Sequence, residues 1–324
     1  MAASIYTVSK FVLQSGITLK KVKIAYKTYG QLNAAKSNVI VYPTWFTGFI
    51  ENNTWLIGKD KTLNPEKYFI IVVCALGNGQ STSPSNTHVA GGGSFPHISL
   101  YDNVTLQHLF ITDFFKIKKI KLVVGWSMGA QQTYQWGCLY PDMVEHIAPL
   151  CGSAKTSPHN FVFLEGVKAA LLSSSDTEKC LKTAARVYAG WGFSQPFYKK
   201  ELWRSLGFQT LEDFLVGFWE HFFLQRDVRN VLAMLDTWQY ADISANHIFN
   251  GDLKAALGAI TAKSLVMPAK MDLYFPVKDN QWEIKQMTNV ELLVIPGIWG
   301  HFAADGLNEK DTKFIDDALR KLLL

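Results

Sequence analysis

Apolar and polar positions alternate over Thr18–Tyr29, where Leu19, Val22, Ile24 and Tyr26 are interleaved with lysines. A period of two marks a strand with one buried face, so this segment reads as antiparallel, closed by Gly30 and Asn33. The runs Asn38–Tyr42, Tyr68–Cys74 and Leu122–Val124 are different. They are continuously apolar and β-branched, as expected of parallel strands covered on both faces. Val144–Leu150, Ser264–Met267 and Glu291–Ile295 read as three further strands. Helical periodicity lies between them, over Ser127–Tyr140 and Val277–Gln286. It returns from Asp311, the expected N-cap, to Leu324, with Phe314, Ile315, Ala318, Leu319 and Leu322 on one face.

Alternating strands and helices predict a doubly wound, mostly parallel α/β sheet. Residues 157–252 break the pattern, with helical periodicity and no parallel strand. Fourteen aromatics fall between Tyr188 and Tyr240, at about twice the density of the whole chain. The expected organisation is a core of residues 1–156 and 253–324 with residues 157–252 inserted as a helical cap. Some cap aromatics are expected to line an apolar pocket beneath it.

Composition narrows the classes without changing this picture. A chain of 324 residues that is 48% hydrophobic and 18% charged can bury a large core. Its densest basic run, Lys116–Lys121, precedes an apolar strand and reads as a solvated connection, so no nucleic-acid partner is expected. No apolar run approaches the roughly 18 residues of a membrane helix, so no membrane partner is expected either. The first ten residues hold no apolar signal region. Cys74, Cys138, Cys151 and Cys180 lack CxxC spacing and read as buried reduced thiols. A cytoplasmic location is the expectation.

The candidate chemistry centres on Gly125-Trp126-Ser127-Met128-Gly129, which follows an apolar strand and opens a helix. That context is a nucleophile elbow. The sharp turn lifts the serine oxygen to the sheet edge and leaves the Met128 N–H at a helix N-terminus, where an oxyanion would form. A second donor is expected in Pro43–Gly48, with Phe46 the first choice and Trp45 and Thr47 beside it. A serine hydroxyl needs a base, and the base an orienting acid. Asp272 follows the strand Ser264–Met267, and His301 follows Glu291–Ile295, which completes the order Ser, Asp, His. Trp45, Tyr101, Trp126 and Trp299 are candidate substrate contacts. Of the other histidines, His221 is a candidate cap contact, and His88 and His97 are candidates for the pocket mouth. No His spacing suits a metal, and acyl transfer through serine requires no metal or organic cofactor.

Several segments resemble the homoserine O-acetyltransferase-like branch of the α/β-hydrolases. They are Ile24–Asn33, Thr47-Gly48, Phe95–Asn103, Gly125–Ala130, Tyr140–Asp142, Asp272 and Gly300-His301. The resemblance implies the α/β-hydrolase fold, an acyl-serine ping-pong mechanism and a homodimer formed through the cap. The chain departs from the branch pattern at Tyr101, where an arginine is usual, and at Trp126, where a glycine is usual. In the stretch Gln225–Asn230, Arg226 and Arg229 are candidates to clamp a substrate carboxylate. With an aromatic cap, the leading expectation is hydrolysis of a small or medium apolar ester, thioester or amide. O-acyl transfer from acetyl-CoA and a ligand-binding protein without hydrolysis remain the alternatives.

Overall fold

The computed structural model describes residues 3–87 and 94–324. Eight strands form one sheet: β1 (Ser4–Val12), β2 (Thr18–Tyr29), β3 (Val39–Pro43), β4 (Phe69–Val73), β5 (Leu122–Trp126), β6 (His146–Leu150), β7 (Lys263–Val266) and β8 (Val290–Leu292). Their order across the sheet is β1-β2-β4-β3-β5-β6-β7-β8. β1 and β2 pair antiparallel, β2 meets β4 antiparallel, and every later pair is parallel.

The sequence pattern explains this arrangement. β3, β4 and β5 are buried along their whole length. Their side chains alternate between two cores. Ile40, Tyr42, Ile70, Val72, Leu122 and Val124 face one, and Val39, Val41, Ile71 and Val123 face the other. Burial on both faces removes the need for polar alternation, which is why these strands read as unbroken apolar runs.

The helices are α1 (Leu100–Asp113), α2 (Met128–Leu139), α3 (Pro158–Leu171), α4 (Thr177–Gly192), α5 (Gln195–Lys199), α6 (Leu211–Phe214), α7 (His221–Leu224), α8 (Val228–Gln239), α9 (Leu253–Gly258), α10 (Val277–Glu283) and α11 (Glu309–Leu322). Between β6 and β7 the described chain is helical, with one isolated bridge, Lys155 to Asp242. A π-helical turn, Leu215–Glu220, joins α6 to α7. Phe163, Tyr188, Trp219 and Trp238 of the helical segment between β6 and β7 share a core cluster with Trp126 and Leu150 of the sheet. α11 begins three residues earlier than expected. Asn308 caps it by accepting the Lys310 N–H, whereas Asp311 is buried inside the first turn. Asp311 is held there by the Asn308 amide at 2.9 Å.

β3 and β5 are neighbours, but the chain leaves β3 toward β4 on one side and later continues from β5 to β6 on the other. The strand order reverses at this point, and the loops that follow diverge. A crevice at the carboxyl ends of the strands results, which is where open α/β sheets bind ligands.

Candidate active site

Ser127 sits at the exit of β5 and caps α2 with φ 60° and ψ −124°. An L-residue rarely occupies that region, and the strain costs about 1–3 kcal/mol. Its neighbours make the turn possible. A Cβ on Gly125 would lie 2.3 Å from the Gly129 carbonyl oxygen, and one on Gly129 would lie 2.6 Å from that of Pro43. Both obstacles are backbone, so nothing can move aside. Gly152 after β6 packs as closely, since a Cβ there would lie 2.5 Å from that of Ala130.

Asp272 follows β7, and His301 lies in a 3₁₀ turn, Gly300–Ala304, after β8. The two are joined: His301 Nδ1 donates to Asp272 Oδ2 at 2.7 Å, with both side chains buried. The N–H groups of Tyr274 and Phe275 donate to Oδ1 at 2.8 and 3.1 Å. With its acceptors committed, the carboxylate fixes the tautomer that leaves Nε2 as a proton acceptor. Nε2 is buried with no hydrogen-bond partner among the described residues, and His301 lines the same cavity as Ser127. Catalytic hydrogen bonds of this kind often close only when substrate is bound. Cys151, the one thiol near Asp272, is pushed well up by burial and by the Asp272 charge, and so stays protonated.

Trp126 plays a part the sequence did not disclose. Its Nε1–H donates to the carbonyl oxygen of His301 at 3.1 Å. Its ring stacks on the imidazole, with centroids 5.0 Å apart and planes inclined by 29°. The residue before the nucleophile therefore grips the residue carrying Nε2.

The loop after β3 approaches from the other side. Gln132 of α2 holds the Thr44 carbonyl at 2.9 Å. Among the described residues, the N–H groups of Phe46 and Met128 donate no hydrogen bond to the backbone. Ser127, His301, Trp45, Phe46 and Trp126 line a cavity of about 40 Å³ together with Tyr188, Phe218, Trp219, Phe222 and Phe302. No lysine, arginine or carboxylate lines it among the described residues. The volume suits a ligand of a few heavy atoms. Gly192 of α4 lets Trp219 come close, since a Cβ there would meet its ring at 2.4 Å.

The structure does not bring the other candidates to this cavity. Tyr101 lies on α1 against His247, 5.6 Å between ring centres. Trp299 packs edge-on to Phe197 at 5.1 Å. Arg229 is exposed and paired with Asp227 at 2.6 Å. Arg226 is buried between aromatic rings and donates to the Thr47 carbonyl at 3.0 Å. Neither arginine is available to clamp a carboxylate beside Ser127. His221 is exposed and bonded to Gln225. His97 pairs with Asp236 in a separate surface groove, and His88 lies outside the described residues. The aromatic density of residues 188–240 was the only sequence signal for Tyr188, Phe218, Trp219 and Phe222, and it could not say which rings turn inward. All four cysteines are buried and unpaired.

Comparison with known proteins agrees with this geometry. Residues 46–305 match the family model described as the alpha/beta hydrolase fold. The ethyl acetate hydrolase of Pseudomonas veronii is 37% identical, over 96% of this chain and 92% of that protein. The crystal structure of an acetylester hydrolase from Corynebacterium glutamicum superposes with a TM-score of 0.94 at 36% identity, covering 99% of this chain and 95% of that one. The homoserine O-acetyltransferase of Chlorobium chlorochromatii is 27% identical over 96% of this chain and 93% of its own length, in keeping with a divergent member of that branch.

Proposed function

This chain belongs to the alpha/beta hydrolase fold family, and from that premise we propose that it is a serine esterase for short-chain esters, acetyl esters foremost. The observation that carries the reading is the small, aromatic-walled cavity shared by Ser127 and His301, with no charged side chain in its lining among the described residues. Similarity to an ethyl acetate hydrolase and to an acetylester hydrolase supports it.

In this reading His301 Nε2 takes the proton of Ser127 as Oγ attacks the ester carbonyl. Asp272 stabilises the imidazolium. The N–H groups of Phe46 and Met128 receive the oxyanion, the second of them aided by the N-terminal dipole of α2. His301 returns the proton to the leaving alkoxide, and an acetyl-Ser127 remains. Water, deprotonated by the same imidazole, then releases acetate. The cap is residues 157–252 over a core of residues 1–156 and 253–324, and its aromatics select for apolar groups.

Two finer elements belong to the same proposal. A homodimer through the cap is supported by the exposed apolar side chains Leu211, Val216 and Leu224 near one another along the chain. A cytoplasmic location is supported by the unpaired cysteines, and no helix among the described residues is long and apolar enough to cross a membrane.

Acyl transfer to an amino-acid alcohol is the competing reading, and the absence of arginine from the cavity lining argues against it. Purified enzyme incubated with acetyl esters, with and without homoserine or simple alcohols, decides the matter. The expected outcome is acetate release that saturates independently of the alcohol. Transfer that outruns hydrolysis would overturn it. Fluorophosphonate labelling lost in Ser127→Ala checks the nucleophile.

A further inference from the structure

We infer that Arg226 is a positioning residue: it fastens the cap to the loop after β3 and so holds in register the backbone N–H groups that receive the oxyanion. The inference rests on the acyl-Ser127 reading above.

Arg226 lies just before α8 and is only 7% exposed. No carboxylate pairs with it among the described residues, and residues 88–93 contain no acid. Its guanidinium is instead sandwiched between two aromatic faces, Phe49 at 4.0 Å and Phe222 at 4.4 Å. Nε–H donates to the Thr47 carbonyl at 3.0 Å, and Nη2–H reaches Asn52 Oδ1 at 3.4 Å. Asn52 Oδ1 in turn accepts the Phe49 N–H at 3.0 Å. Burial alone pulls the guanidinium down to about 10, so it remains charged at neutral pH. A flat cation that bonds by its edge while its faces stack is a use that lysine cannot reproduce.

The loop it grips has one turn bond of its own, from the Gly48 N–H to the Trp45 carbonyl at 3.0 Å, and is otherwise held by side chains. Thr47 has a φ of 54°, a left-handed conformation uncommon for a β-branched residue. Its hydroxyl is buried without a partner among the described residues. Three consecutive carbonyls are held from outside the backbone ladder: Thr47 by Arg226, Gly48 by Asn78 at 3.1 Å, and Phe49 by Asn53 at 2.8 Å. Only the first of these fastenings comes from the cap. Phe46, immediately before Thr47, lines the cavity and carries one proposed oxyanion donor. Phe222, which covers the guanidinium, also stacks on Trp45 at 5.8 Å and lines the same cavity. One side chain thus ties a substrate-facing wall of the cap to the donor loop.

The test uses the full-length enzyme, phenyl acetate as substrate, and a small alkyl boronic acid whose tetrahedral serine adduct mimics the transition state. In Arg226→Met, kcat is expected to fall roughly ten- to a hundredfold, the scale of a misplacement near 1 Å, with KM within about threefold. Boronate affinity should fall by the same factor as kcat/KM, which a general loss of stability would not produce. Arg226→Lys should recover only a minor part, and it carries the test if Arg226→Met does not fold. A kcat unchanged within about twofold in both variants overturns the inference, as does a raised KM at constant kcat, which would make Arg226 a substrate contact. Ser127→Ala assayed alongside separates the two ideas. Turnover surviving there removes the acyl-serine reading, whereas a dead Ser127→Ala beside an unaffected Arg226→Met removes only the role of Arg226.

Discussion

The positions of Ser127, Asp272 and His301 after β5, β7 and β8 were legible because each is announced by its own neighbours. Glycines flank Ser127 where an added Cβ would lie 2.3 and 2.6 Å from backbone carbonyl oxygens, and no other residue type fits. A residue-scale consequence is that Gly129→Ala must displace either α2 or the strand end at Pro43. We expect a loss of about 1–3 kcal/mol in urea denaturation together with most of the esterase activity. Ser127→Ala should lower kcat by roughly 10⁴-fold or more while the fold is retained, measured by acetate release and circular dichroism. Trp126 was legible as a candidate substrate contact, and it does line the cavity, but not as a partner of His301. Its hydrogen bond to the His301 carbonyl joins residues 175 positions apart, and no local pattern encodes that. Trp126→Phe keeps the stacked ring and loses one hydrogen bond of about 0.5–1.5 kcal/mol, so kcat should drop several-fold with little change in KM.

Strands β2 to β5 were legible as elements, β2 from its alternation and β3, β4 and β5 as unbroken apolar runs buried on both faces. Helix ends were less legible. Asn308 and Asp311 are both good caps three residues apart, and the burial of Asp311 against Gly297, where a Cβ would touch its carboxylate, decides between them. Between elements, α10 is tied to the loop after β6 by Glu283. It accepts the Ala154 N–H and the Asn280 amide, both at 2.7 Å. Burial pushes its carboxyl up to about 8 from 4.5. The folded state therefore prefers the proton. This contribution to stability is complete below about pH 4.5 and is lost as pH rises through about 8. Glu283→Gln has no proton to lose. Urea melts at pH 5 and pH 8 should show the variant gaining on the parent as pH rises, by on the order of a few kcal/mol. A constant difference would mean that Glu283 is ionised in the folded protein.

At the scale of the whole molecule, the proposed function draws its chemistry from loops at the carboxyl edge of the sheet and its selectivity from the segment between β6 and β7. The cavity of about 40 Å³ should make acetyl esters better substrates than butyryl or hexanoyl esters, each methylene that does not fit costing about tenfold in kcat/KM. Trp219→Leu should narrow that ratio by opening the wall, as read from a series of acyl chain lengths. The helical character of the segment between β6 and β7 could be inferred from its periodicity. Its inner surface could not, because the rings that face Ser127 and those that pack the cap alternate along the same helices.

The bond from Arg226 to the Thr47 carbonyl bears on how such an enzyme can be rebuilt. Exchanging the segment between β6 and β7 looks like a clean way to graft a new specificity onto an existing catalyst, since Ser127, Asp272 and His301 all lie outside it. Here the graft would carry away the anchor of a backbone turn that belongs to the recipient. A chimera would then need an arginine at the same point of the incoming segment, or a turn after β3 rewritten to stand unaided.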